Sequence, residues 1–142
     1  MDTTSTTVRD LAERYSAAWN THDLEAVLAM HTEDSIFHLR AAGGAPIEGR
    51  TAIREVFSAF LQQLPDVQFI ARSVYVGRDH IVVESTLTAT VAEPLNVDGE
   101  DVGSAGRRVD VACVDVLAVR DDAIARKDTY LDSATFLQQV GG

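Results

Sequence analysis

The chain has 142 residues, of which 46% are hydrophobic and 24% charged, with only three prolines and nine glycines; that balance excludes a disordered or fibrous chain. The length is about one domain, and a domain of this size buries about two-thirds of its unfolded surface, enough for a core without metals or disulfides. Acidic residues outnumber basic ones 22 to 12, for a net charge of −10, and a field of that sign repels phosphate backbones and anionic lipid, so neither nucleic acid nor a membrane surface is an expected partner.

Residues 1–6 are Thr-rich and expected to be disordered. Helical spacing then begins, with Val8, Leu11, Tyr15, Ala18 and Trp19 on one stripe. Asn20-Thr21-His22-Asp23 reads as a break in which Asp23 can cap a second helix carrying Leu24, Val27, Leu28 and His31. Ser35 to Leu39 reads as a strand, and Ala41 to Pro46 as a loop because paired glycines and a proline oppose both regular structures. Ile53, Val56, Phe57, Phe60, Leu61 and Leu64 restore helical spacing up to Pro65.

From Val67 the pattern is that of strands. Val67 to Val76 and Ile81 to Val91 flank a turn at Gly77-Arg78-Asp79, and Glu93 to Gly106 reads as a long hairpin loop. Arg108 to Val119 and Ile124 to Leu131 are joined at Asp121-Asp122, and a last helix is expected over Ser133 to Val140. Helices first and antiparallel strands afterwards make an α+β signature for a single domain over 1–142. Helices laid on a curved antiparallel sheet form a half-open cone able to enclose an apolar pocket.

The single cysteine, Cys113, cannot close an internal disulfide. The start of the chain lacks the basic and apolar regions of a secretory signal, and no apolar run approaches the roughly 18 residues that cross a bilayer. A cytoplasmic protein is the expectation.

A two-residue turn at Asp121-Asp122 sets Arg120 opposite Ala123. Strict alternation from there puts Asp110, Ala112, Val114, Val116 and Ala118 on the pocket face with Ala125, Lys127, Thr129 and Leu131. Val111, Cys113, Asp115, Leu117, Val119, Ile124, Arg126, Asp128 and Tyr130 then fall on the outer face. A slip of one residue would exchange the faces.

The runs RYSAAWNTHDLEAVLAMHTEDSIFH, IEGRTAIREVF and VDVLAVRDDAIARKDTYLD, in this order between Arg14 and Asp132, resemble the SnoaL-like branch of the nuclear transport factor 2-like superfamily. The resemblance implies a cone-shaped α+β fold, often dimeric through the outer sheet face, shared by polyketide cyclases, ketosteroid isomerases, limonene-epoxide hydrolases, dehydratases and proteins without catalysis. Fold alone therefore does not set the activity. By the same resemblance Tyr15 matches the tyrosine with which ketosteroid isomerases, a worked example of acid–base tuning, hold an oxyanion. Their two functional aspartates correspond to Leu39 and Ala112, and the last-strand aspartate of hydrolases and cyclases to Thr129, one residue after Asp128.

On the expected pocket face Asp110 and Lys127 are the candidate acid–base pair, with Asp128 as the alternative acid if the hairpin slips. Lys127 is read either as a desolvated base or Schiff-base former, or as an ion-paired residue at the cone's mouth. Tyr15 and His31 are candidates for a polar network, while His38 alternates with Phe37 and Leu39 and faces away. Trp19, Phe37, Leu39, Phe57, Phe60, Ala112, Thr129 and Leu131 are the candidate lining. No zinc-like spacing joins His22, His31, His38 and His80, and no phosphate loop is present, so neither metal nor cofactor is expected. Two functional readings stand: a cofactor-independent cyclase, isomerase or hydrolase acting on a small lipophilic carbonyl compound, or a non-catalytic module that binds an apolar ligand or dimerises. A homodimer through the outer face is expected, because Val111, Cys113, Leu117, Val119, Ile124 and Tyr130 would otherwise form an exposed apolar patch.

Overall fold

In the computed structural model the described residues are 3–40, 44–97 and 100–141. The stripe on the first helix, α1 (Thr3–Asn20), is buried as its spacing predicts: Val8, Leu11, Tyr15, Ala18 and Trp19 all face the core. Of the stretch 1–6 expected to be disordered, residues 3–6 are helical, propagated from the anchored turns that follow, and 1–2 lie outside the described residues. His22, in a left-handed conformation with φ 60°, turns the chain. Asp23 caps α2 (Leu24–Ala29) by accepting from the Ala26 amide at 3.1 Å. Helix α2 stops earlier than expected, so His31 is not helical; it opens β1 (His31–Arg40).

After β2 (Ile47–Glu48), α3 (Arg50–Gln63) ends two residues before Pro65. Strands β3 (Gln68–Val76) and β4 (His80–Thr90) flank the expected turn. The stretch 93–106 is not only loop but carries its own two-stranded ribbon, β5 (Leu95–Val97) with β6 (Glu100–Val102). Strands β7 (Arg108–Arg120) and β8 (Ala123–Leu131) and helix α4 (Ser133–Val140) complete the chain. The main sheet has the order β2-β1-β8-β7-β4-β3 and is curved and unclosed. It is mixed rather than wholly antiparallel, since β1 runs parallel to β8. The long connection between them, which includes α3, β3, β4 and β7, leaves room for that crossover geometry.

Helices α1 and α3 cover one end of the concave face and α4 the other, with one buried cluster under each. Phe60, Leu61 and Phe69 pack against both clusters. Asn20 fastens the end of α1 to β3, accepting from the Phe69 amide at 2.8 Å and donating to its carbonyl at 3.0 Å.

The β7–β8 hairpin corrects the expected faces. The turn is as predicted: Asp121 and Asp122 both have positive φ, and Arg120 pairs with Ala123. One pair further on, Val119 faces Ile124 but Ala118 faces Arg126, so Ala125 is an extra residue that bulges from β8. The bulge shifts the register by one for the rest of the hairpin. Lys127, Thr129 and Leu131 keep the pocket face, but they share it with Leu117, Asp115 and Cys113. Asp110 and Ala112, expected inside, lie outside and are exposed; Asp128, Arg126 and Tyr130 stay outside. Val111, Cys113, Leu117 and Ile124, expected to form an outer patch, are core residues.

Candidate functional site

The space between the two clusters is a cavity of about 480 Å³, a size that suits a small organic molecule. Helical spacing brings Val56, Phe57 and Phe60 of α3 to its roof, and alternation on β1 and β8 brings Phe37, Leu39, Thr129 and Leu131 to its walls. Leu95 from the ribbon and Phe136 and Leu137 from α4 close the far end. Trp19 anchors the aromatic wall, with its ring edge-on to Phe57 at 4.9 Å, Phe69 at 5.8 Å and Phe60 at 5.9 Å.

Asp115, Lys127 and Thr129 lie together on the strands that line this cavity, while Gln63 of α3 and Ser133 of α4 are further polar side chains on its wall. Lys127, the one lysine in the sequence, is buried rather than at a mouth. Its ammonium sits 4.6 Å from the Trp19 ring centre, 5.0 Å from Tyr15 and 5.3 Å from Phe57. Such desolvated cation–π contacts are worth about 2 kcal/mol. Lys127 donates to the Tyr15 oxygen at 3.3 Å and lies 4.0 Å from Asp115 Oδ1. Burial works against its charge, but Tyr15 and the Asp115 carboxylate outweigh burial and raise its pKa. Lys127 is therefore held as a cation beside Asp115.

Asp115 accepts from Thr129 Oγ1, its cross-strand neighbour, at 2.5 Å. Behind Lys127, the Tyr15 hydroxyl stands 2.9 Å from His31 Nε2. Because a lysine ammonium only donates, the Tyr15 hydrogen is free to go to Nε2, which leaves the His31 proton on Nδ1. Burial, then the charges of Lys127 and Arg50, lower the His31 pKa to about 3, and burial raises that of Tyr15. Both are neutral near pH 7. Cys113 also lines the cavity, contrary to the expected outer placement, with its thiol pushed up to about 12 by burial and then by Asp115. It is not a nucleophile at neutral pH.

The remaining candidates lie elsewhere. Asp110 exchanges hydrogen bonds with the Gln139 side chain, its amide donating to Oε1 at 2.7 Å and its carbonyl accepting from Nε2 at 2.9 Å. Asp128 is bound outside by Arg126 and Arg40, whose guanidinium groups hold its carboxyl below the usual range. His38 reaches the Gly44 carbonyl at 2.8 Å. Tyr15 and His31 stand behind the large cavity rather than on its wall. Strict alternation from the turn hides Asp115; the signal for it is the apolar character of Val109, Val111, Leu117 and Val119 against Arg108, Asp110 and Arg120 at even-numbered positions of β7. Among the described residues no three His, Cys, Asp or Glu side chains converge as a metal site would require.

Two measurements check this placement. Replacement of Asp110 with asparagine is expected to leave kinetics unchanged. Secondly, the depressed His31 pKa means the unfolded chain binds the extra proton first. Its contribution is then complete above about pH 6.5 and is lost as pH falls towards about 3, by up to about 1.4 kcal/mol per unit. Urea unfolding across that range is expected to show the decline, and His31→Phe to flatten it.

The sequence profile of the SnoaL-like domain matches residues 12–127, and the chain belongs to that family. No curated protein matches it in sequence. Among solved structures, a proposed SnoaL-like polyketide cyclase from Jannaschia sp. CCS1 superposes with a TM-score of 0.87 at 16% identity, covering 100% of this chain and 96% of that one. A proposed polyketide cyclase from Xanthomonas campestris pv. campestris gives 0.82 at 20% identity over 97% and 99%. A phenazine biosynthesis-related protein from Pseudomonas aeruginosa gives 0.79 at 16% over 96% and 86%. At these identities the likeness establishes the nuclear transport factor 2-like fold. No described helix is long and apolar enough to cross a membrane.

Proposed function

We propose that this protein is a cofactor-independent acid–base enzyme that acts on a lipophilic carbonyl compound through an enolate. The observation that carries this reading is the Lys127–Asp115 pair on the wall of a mostly apolar cavity. Lys127 spends one donor on Tyr15, so further N–H groups are free for a carbonyl oxygen. A fixed ammonium away from bulk water stabilises the negative charge that such an oxygen gains. Asp115, beside it and held by Thr129, takes the proton from the neighbouring carbon. The C–H electron pair moves into the carbonyl, the enolate forms against Lys127, and the proton returns from Asp115 to carbon or to a leaving oxygen. The names of the similar structures, polyketide cyclases among them, fit chemistry of this kind.

Proton NMR of bicyclic aryl ketones such as the tetralones, in deuterium oxide, tests the proposal. The expected result is protein-dependent, saturable deuterium uptake next to the carbonyl. Thermal stabilisation by these ketones without any uptake would leave a ligand-binding module and overturn the enzyme reading.

We also infer that two copies associate through the outer sheet face. Ile70, Tyr75, Val116 and Tyr130 are exposed there, Tyr75 by 57% and Ile70 by 55%, and a patch of this kind marks an interaction surface. Val116→Asp is expected to convert a dimer to a monomer in sedimentation velocity. A monomeric parent protein would refute the dimer.

A further inference from the structure

A second, much smaller cavity of about 30 Å³ lies on the other side of the Trp19–Lys127 wall. It is bounded by α1, β3, β4 and β7, and it shares Trp19, Phe69, Asp115 and Lys127 with the large cavity. The acid–base pair is thus open on two sides. The small space suits one or two water molecules and is too small for an organic ligand.

Its polar furniture suits water as well. Ser85 is only 4% exposed, and its hydroxyl oxygen has no oxygen or nitrogen partner among the described residues. Its cross-strand neighbour, the Cys113 thiol, is a weak partner. A buried hydroxyl left in that state costs free energy unless water completes it. Asp115 commits Oδ1 to Thr129 and Lys127, and among the described residues no hydrogen bond engages Oδ2. At the rim, Ala71 is exposed and Ser16 half-buried, so the space leads outwards between α1 and β3.

We propose that this small cavity is a water site that serves as a proton port for Asp115 and Lys127. The inference rests on the acid–base reading for its use, though not for its existence. A substrate that fills the apolar cavity cuts Asp115 off from solvent on that side. A water held between Ser85 and Asp115 accepts the proton of the Asp115 carboxyl and releases another to bulk solvent; in reverse, it takes a proton from solvent and passes one to the Asp115 carboxylate. The water is regenerated each time, so the exchange balances without a co-reactant. Apolar Phe69, Val83 and Leu117 keep the port narrow.

The single lysine makes the port measurable without any substrate. Labelling with ¹⁵N-lysine gives one ε-ammonium signal, whose hydrogen exchange with water NMR can follow. Leu131→Trp, which fills the large cavity, is expected to leave that exchange as fast as in the parent protein. Ala71→Leu, which fills the small one, is expected to slow it by about tenfold or more. Ser85→Val blocks the same space from β4 and keeps the test decisive if Ala71→Leu does not fold. Slowing by Leu131→Trp alone, or unchanged exchange in both small-cavity variants, would overturn the port. Because no turnover is read, a failure to process ketones would refute the enzyme reading while leaving this result intact.

Discussion

Asp115→Asn is expected to lower turnover by about 10²–10⁴-fold, the range that general acid–base groups contribute. The substitution keeps the shape of the side chain and an Oδ1 that can still accept from Thr129. What it removes is the capacity to take a proton. The loss should therefore fall on kcat, with KM little changed and the melting temperature close to that of the parent protein. Lys127 retains Tyr15 and three aromatic faces in the variant, so its position should hold. Full deuterium uptake by Asp115→Asn would show that the proton goes elsewhere.

Lys127→Met is the second large effect, about 10²–10³-fold in turnover, as expected when the principal donor to a developing oxyanion is lost. Methionine has nearly the same length and polarisability against the rings of Trp19, Tyr15 and Phe57, so the wall remains packed. Arginine is not a rescue, because its planar fork does not fit a niche shaped around a point charge. Isothermal titration separates catalysis from binding: a naphthalenecarboxylate should lose affinity in Lys127→Met while a neutral tetralone keeps it. Combined with Asp115→Asn, the loss should be far less than the product of the two single losses, since the residues act on one step. Equal loss of both ligands would mean that Lys127 only supports the wall.

Much of the fold was legible because each element carries its own physical signal. The α1 stripe, the Asp23 cap, the Pro65 stop and the Asp121-Asp122 turn are local, and each is where its spacing predicts. The site was only half legible. Lys127, Thr129 and Leu131 face the cavity as the turn predicts, and Trp19, Phe57 and Phe60 as helical spacing predicts. Asp115 and Cys113 were not, because a period of two has no memory of an inserted residue, and Ala125 carries no glycine or proline to announce its bulge. The parallel pairing of β1 with β8 was equally hidden, being a contact between residues about ninety positions apart. Resemblance to acidic positions at Leu39, Ala112 and Thr129 points around Asp115, the carboxylate on the cavity wall. It sits across the sheet from Thr129 instead of in its place.

All eleven other basic residues of the chain are arginines, so the only side-chain amine is the one enclosed by indole and phenyl rings. An acylating reagent too bulky for the cavity can reach that amine only when the domain opens. The rate at which such a reagent marks position 127 is then a clock for breathing of the interior, set running by the chain itself and stopped by any guest that holds the walls together.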